Sequence, residues 1–309
     1  MARESSPCKF ALMCRFASPV RRWCKPDKWG YFAISWHEMA VDIVPNPLVE
    51  GEKGRLVPKS PSAGRQPRPR RTGEKGPAPA LTADQFWNEL RLVSTEIEDS
   101  VVLFHTYEEL NRLALSDENI LMALNRDALF WNTYRHSLLT SLFITLGRIF
   151  DKDSDAHSIH RLLAAVTRNR HLFSAQSLRE RRIEQNGGQK PDWLDEFMTG
   201  TWEPKEAGHL AHFKPAIKPH EKRFREIYAP IRHSIFAHRL MSNFEANHEL
   251  FRSTNREDLG VMLDFLHDLI ECITHLFMNG AEPKLGTRDF QEYNQRVRDG
   301  VGTVLERLL

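Results

Sequence analysis

Residues 138–163 read LLTSLFITLGRIFDKDSDAHSIHRLL, and they carry the second half of a long amphipathic run that begins near residue 120. Apolar residues recur through this run at steps of three, four and seven, the spacing of one helix face. They are Ile120, Leu124, Ala128, Trp131, Leu138, Leu142 and Ile149, and the stripe is widened by Leu139, Phe143 and Leu146. The pattern predicts a long central helix with Ser116 as its N-cap.

Helical signals also precede and follow this run. Thr82 and Gln85 have the spacing of a capping box, which predicts a helix from there to about Leu115. Residues 158–186 favour two shorter helices, and the glycine pair at 187–188 is expected to end the second of them.

The second half of the chain is helical by pattern as well. Pro191 favours the first turn of a short helix, and residues 199–219 are expected to form a loop. The next helix, EKRFREIYAPIRHSIFAHRL, is expected to kink or break at Pro230. Thr254 and Glu257 have the spacing of a second capping box, which predicts another helix with one apolar face.

The whole pattern predicts an all-α fold, because no strand-like alternation and no hairpin turn stand out. Residues 81–280 are expected to form a bundle of four or more antiparallel helices. Residues 281–309 are expected to add a C-terminal helix that packs on the bundle and is weakened by Gly300 and Gly302.

The first 80 residues differ in composition from the rest. Residues 51–80 are rich in Pro, Gly, Lys and Arg with almost no large apolar side chain, which predicts a disordered basic extension. Such an extension would add nonspecific affinity for RNA. Cys8, Cys14 and Cys24 match no standard zinc pattern, so no metal is expected there.

Composition excludes several classes of protein. The net charge of +2 is too small for a polycation, so nucleic-acid binding would need a local basic patch. The sequence contains no run of roughly 18 apolar residues, so it predicts no membrane span. No secretory signal is recognisable either. Four cysteines in 309 residues do not form a disulfide framework, which favours a reducing cytoplasm.

The candidate site lies in IRHSIFAHR, residues 231–239. Arg232 is the only arginine in the chain that is followed, four to six residues later, by a histidine, His238. In an α-helix the two residues are about 9 Å apart along the axis and about 120° apart around it. Ile231, Ile235 and Arg239 would lie between them, which suggests a face through which two copies could pack.

An arginine and a histidine at this spacing, with a polar residue after the arginine, resemble the signature of the HEPN superfamily. The sequence Arg148-Ile149-Phe150-Asp151 at the end of the long helix is similar to the abortive-infection U-type branch. The resemblance spans roughly residues 85–280. One departure is His233, which stands where asparagine is frequent.

The resemblance implies a homodimeric endoribonuclease that needs no metal or other cofactor, with RNA as substrate and an antitoxin protein as a possible partner. It implies a toxin or an abortive-infection effector in phage defence. His238 would transfer protons, Arg232 would hold phosphate oxygens, His233 would orient Arg232 or the substrate, and Arg239 would bind a neighbouring phosphate.

Other interpretations of the same residues remain open. His238 could be an ordinary surface or interface histidine, and Arg232 could pair with Glu226. The chain would then be a non-catalytic dimerisation or partner-binding module. A group of loop histidines, His209, His212 and His220, lacks further ligands at metal-binding spacing. His267 and His275 are expected to be solvated or interfacial.

Overall fold

A computed structural model describes residues 80–153, 156–237 and 254–309. The predicted disordered extension covers residues 1–80, and all of it except Ala80 lies outside the described ranges. The principal helices are α1 (Ala83–Ser116), α2 (Glu118–Asn125), α3 (Ala128–Ile149), α4 (Ile159–Arg168), α5 (Ala175–Gln185), α6 (Leu194–Thr199), α7 (Phe213–Arg223), α8 (Arg256–Asn279) and α9 (Gln291–Glu306). Within this part of the chain no strand occurs, which confirms the all-α fold, and no helix has the length and hydropathy to cross a membrane.

Helix α1 begins where the sequence predicts. The Thr82 side chain accepts a hydrogen bond from the Gln85 backbone, and the Gln85 side chain accepts one from the Thr82 backbone, which completes the capping box. The helix continues to Ser116 without a break. Its inner face is fully buried and packs against α3, α8 and α9.

The long run after α1 is two helices rather than one. Ser116 is the last residue of α1, and the N-cap of α2 is Asp117, whose carboxylate accepts hydrogen bonds from the backbones of Asn119 and Ile120. The chain then turns at Asp127, where the backbone leaves the helical region, before α3 starts at Ala128. Asp117 is the better cap because its Oδ1 atom accepts hydrogen bonds from two of the otherwise unpaired amides at the helix start.

The apolar stripe lies in the core as predicted. Leu138, Leu142 and Ile149 of α3 are at most 7 % exposed, and the widening residues Leu139, Phe143 and Leu146 are at most 1 % exposed. Ala128 is only partly buried because it stands at the first turn of α3. The buried face of α3 packs mainly against α1, which makes these two helices the centre of the bundle.

The predicted loop over residues 199–219 is shorter than expected. A turn of 3-10 helix spans Ala207–Leu210, and α7 starts already at Phe213. Phe213 and Ile217, one helical turn apart, are 1 % and 2 % exposed, so burial of this pair favours the helix. Pro215 stands in the first turn, where the amide hydrogen that proline lacks would have no helical partner.

Helix α8 carries the predicted buried face but has a different cap. The side chain of Asn255, not that of Thr254, accepts the hydrogen bond from the Glu257 backbone. At the other end Gly280 adopts a left-handed conformation, φ 62°, which favours glycine. Two arginines of α5 donate hydrogen bonds to the last carbonyls of α8, Arg181 to Phe277 and Arg182 to Met278.

The C-terminal helix α9 packs along α1 and runs through both glycines without a break. The segment before it covers His267, which is only 6 % exposed and stacks on Phe290 at 4.0 Å between ring centroids. The expectation that His267 is solvated or interfacial was therefore wrong, because the chain's own Phe290 covers it. His275 lies near the surface and pairs with Glu271.

A second buried histidine, His105 of α1, lies at the base of a cleft of about 600 Å³ between α1, α8 and α9. Its Nδ1 atom is 3.4 Å from a guanidinium nitrogen of Arg298 and accepts that hydrogen bond only when the ring is neutral. Burial, with a smaller effect of Arg298, lowers the pKa of His105 from 6.5 to about 4, while Asp264 acts in the opposite direction.

We expect the free energy of unfolding to fall as the pH decreases from about 6.5 towards 4, by up to about 3 kcal/mol from His105 alone. The unfolded chain binds a proton at this histidine over that range, whereas the folded chain does not. Burial also lowers the pKa of His267, which adds to the same trend. Urea unfolding at a series of pH values should show a flatter dependence for His105→Gln than for the wild-type protein; an unchanged slope would contradict the assignment.

Candidate functional site

The candidate site lies on a helical segment that continues α7 but is widened on both sides of Pro230. The turns over Phe224–Tyr228 and Arg232–Ala237 are π-helical, and a short α-helical piece, Ala229–Ile231, separates them. We call residues 224–237 the π-segment. Pro230 has no amide hydrogen to complete the α-helical pattern. The predicted interruption is thus a change of helix type, and such wide turns are frequent at functional sites.

A buried stripe fixes the π-segment against α3. Phe224, Tyr228 and Ile231 follow one another at steps of four and three residues, and each is at most 8 % exposed. The ring of Phe224 stacks on Phe150, with centroids 4.8 Å apart, and the ring of Tyr228 contacts Phe143. The Tyr228 hydroxyl donates a hydrogen bond to the Asn255 carbonyl, which also ties the segment to the start of α8.

The next residue after this stripe is Arg232, and its side chain lies directly on the backbone of α3 at Gly147. A Cβ atom added to Gly147 would be 2.5 Å from Cδ and 2.7 Å from Cζ of Arg232, and closer still to Nε. The Nε atom is buried and has no hydrogen-bond partner among the described residues. Among the described residues, the buried polar atoms without a hydrogen-bond partner include Nε of Arg232 but neither of its two terminal nitrogens. Arg232 as a whole is partly exposed. The forked end of Arg232 can therefore meet a ligand.

The other predicted site residues divide into two groups. His233 is exposed and follows Arg232 within the π-segment. His238 and Arg239 come directly after that segment and lie outside the described residues. Their roles as proton-transferring and phosphate-binding groups therefore stay predictions from the sequence.

Two expectations about the surroundings of Arg232 need correction. Ile231 is 0 % exposed and belongs to the chain's own core, so it cannot form part of an apolar contact between two copies. The angle of 120° between Arg232 and His238 assumed an α-helix, whereas residues 232–237 form a π-helix. As for an ion pair, Glu226 lies 3.7 Å from Arg225, and no acidic group in the described ranges pairs with Arg232.

Arg148 and Asp151 stabilise the end of α3. The Arg148 guanidinium contacts the Glu96 carboxylate of α1 at 2.7–2.9 Å and donates a hydrogen bond to the Thr145 hydroxyl. The Asp151 carboxylate accepts a hydrogen bond from the Asp153 backbone just after the helix. Both residues thus have structural partners close to the turn of α3 on which Arg232 rests.

Histidines outside the π-segment have partners of other kinds. Nδ1 of His209 accepts a hydrogen bond from the backbone of Glu206, and His220 stacks on Phe265. In the ranges that the structure covers, no group of three or more His, Cys, Asp or Glu side chains is arranged to hold a metal ion.

Sequence reasoning missed Gly147. The residue stands inside the predicted apolar stripe, one position before Arg148, where a glycine weakens a helix. A lone glycine in an otherwise apolar helix is a signal for close approach of another group. The sequence could not indicate that the approaching group is a side chain 85 residues later.

Comparison with known proteins identifies a family. A HEPN family model with the description AbiU2 matches residues 83–304, from the first residue of α1 to within two residues of the end of α9. No curated protein and no solved structure matches the chain.

Proposed function

Since the chain belongs to the AbiU2 family of HEPN domains, we propose that it is a metal-independent endoribonuclease that acts as a toxin or abortive-infection effector in phage defence. Its proposed substrate is RNA, its proposed location is the cytoplasm, and it would act as a homodimer restrained by an antitoxin protein. The proposed domain is the helical bundle of residues 81–280 with the C-terminal helix packed on it.

The observation that carries the proposal is the position of the Arg232 side chain against the α3 backbone at Gly147. A guanidinium that is held against a helix backbone, with its fork accessible and no carboxylate paired to it in the described part of the chain, is prepared for an anionic ligand. Its planar donors match two oxygens of one phosphate. As negative charge builds up on the phosphate during cleavage, a fixed guanidinium stabilises it without first reorganising.

The proton transfers are assigned to His238. RNA supplies its own nucleophile, the 2′-hydroxyl next to the scissile phosphate, so no metal-bound water is needed. A neutral imidazole takes the 2′-hydroxyl proton as the 2′-oxygen attacks phosphorus, or a protonated one gives a proton to the departing 5′-oxygen. The products are a 2′,3′-cyclic phosphate and a 5′-hydroxyl. Arg239 would bind a neighbouring phosphate, and His233 would orient Arg232 or the substrate.

The proposal is tested by the chemistry of cleavage. Purified protein should cut single-stranded RNA in the presence of EDTA and leave 2′,3′-cyclic phosphate ends, which mass spectrometry distinguishes from the 3′-hydroxyl ends left by other nucleases. A matched oligonucleotide with a single 2′-deoxy residue at the cut site should stay intact there. Cleavage of that substrate at the same site would contradict attack by the 2′-oxygen.

A second candidate is a non-catalytic module that dimerises or binds a partner. An apolar patch at the start of α3 favours it: Leu129 is 83 % exposed and Phe130 56 % exposed, adjacent to the partly exposed Tyr134. Exposed apolar patches of this kind often mark interaction surfaces. RNA binding or dimerisation that is unaffected by His238→Ala, in a protein that never cleaves RNA, would favour this second function.

A further inference from the structure

We propose that Gly147 is a positioning residue for Arg232: the absence of a side chain at this point of α3 holds the guanidinium in place. This inference rests on the proposed function for its catalytic meaning, but its geometric part stands alone. Gly147 is not expected to contact RNA. It acts through Arg232, which does.

Space around Gly147 is taken up by Arg232. With even an alanine at this position, the added carbon would overlap Nε, Cδ and Cζ of the arginine at distances that real Cβ contacts do not reach. Movement of the π-segment away from α3 is opposed by Ile231, which is fully buried in the core immediately before Arg232. Movement of α3 away from the π-segment is opposed by Leu146, which is fully buried immediately before Gly147. The arginine side chain is therefore the part that must move.

The contact does not improve stability in an obvious way. A glycine inside a helix is less favourable than alanine, because it restricts more backbone freedom on folding. The Nε–H of Arg232 is buried without an acceptor in the described ranges, which is a further cost. Two unfavourable features at one contact are typical of a site whose geometry serves binding or catalysis.

The consequence of the contact is a single direction for the guanidinium. Burial of its Nε edge on the backbone removes the rotational freedom that a long arginine side chain normally has. The fork then projects from the junction of α3 and the π-segment. Such fixed donors are worth more in a transition state than mobile ones, because misplacement of about 1 Å costs roughly a hundredfold in rate.

A thermal-unfolding cycle tests the geometry without any need for activity. Gly147→Ala should change the midpoint less favourably in the wild type than in the Arg232→Ala background, because only in the wild type must the new methyl group displace the arginine. In the Arg232→Ala background Gly147→Ala should raise the midpoint, since alanine is the better helix former and no longer overlaps the arginine. Gly300→Ala in α9, where nothing lies within 4 Å of the added carbon, is the matched control and should not lower the midpoint.

The outcomes of this cycle are distinct. If Gly147→Ala fails to fold but the double variant folds, the overlap with Arg232 is supported. If Gly147→Ala changes the midpoint equally in both backgrounds, then Arg232 is not the reason for the glycine, and the inference is wrong.

Kinetics test the positioning role. Gly147→Ala should lower kcat by at least about tenfold with little change in KM, and it should cause no further loss when Arg232 is already alanine. Equal losses in both backgrounds would show that Gly147 acts independently of Arg232, which overturns the inference. A wild-type protein that cleaves no RNA would refute the proposed function. The unfolding cycle would still decide whether Gly147 holds the Arg232 side chain in place.

Discussion

Replacement of His238 by alanine is expected to lower the rate of RNA cleavage by about 10²–10⁴-fold, the usual contribution of a general acid–base group. Arg232→Ala is expected to lower it by about 10²–10³-fold, because the transition state loses its fixed charge. Arg232→Lys should restore only part of the rate, since a lysine is a single point charge that cannot hold two phosphate oxygens in one plane. Initial rates on a labelled RNA, at substrate concentrations well below KM, measure all three effects.

Matched controls separate chemistry from folding and charge. Arg225→Ala removes an exposed arginine from the same π-segment, and His171→Ala removes an exposed histidine elsewhere; both should cleave like the wild type. Circular dichroism should give the same helix content for every variant. Wild-type cleavage by His238→Ala would end the assignment of the proton-transfer role. A rate loss in Arg225→Ala as large as that in Arg232→Ala would show that cleavage depends on the positive charge of the segment and not on the fixed position of the Arg232 guanidinium.

Local signals predicted most helix ends, but not always the capping residue. Thr82 caps α1 because both partners of its capping box lie within four residues of sequence. Thr254 and Glu257 have the same spacing, yet Asn255 is the cap, and Asp117 rather than Ser116 caps α2. In each pair, two good capping residues are adjacent, and the choice depends on where the packed helix must begin. Spacing alone cannot decide between neighbours.

The site was predicted in part. Arg232 could be singled out because its spacing to His238 occurs once in the chain. The position of its side chain could not be predicted, because the contact with Gly147 joins distant parts of the sequence and arises only when the π-segment packs on α3. The same packing buries Ile231, which helical periodicity had placed on an outer face. Periodicity identifies an apolar residue but does not tell whether its own chain or a second copy covers it.

The N-terminal turn of α1 is expected to be essential for the stability of the fold. Phe86 is 0 % exposed, and its ring contacts Phe173 at 5.2 Å and Phe277 at 5.0 Å between centroids. It therefore joins α1 to the end of α8 and to the turn before α5. Phe86→Ala should lower the free energy of unfolding by about 3–5 kcal/mol, because it leaves a cavity and removes both ring contacts.

Phe130→Ala is the matched control for this prediction, since it removes the same atoms from a ring that is 56 % exposed. It should cost less than about 1 kcal/mol. Urea unfolding monitored by circular dichroism compares the two variants under identical conditions. Because both substitutions remove a phenylalanine ring near the start of a helix and only Phe86 is buried, the difference between them reports mainly the packing of the α1 start. Equal and small effects would mean that residues near Phe86 are dispensable, and that the bundle begins further along α1 than its capping box at Thr82.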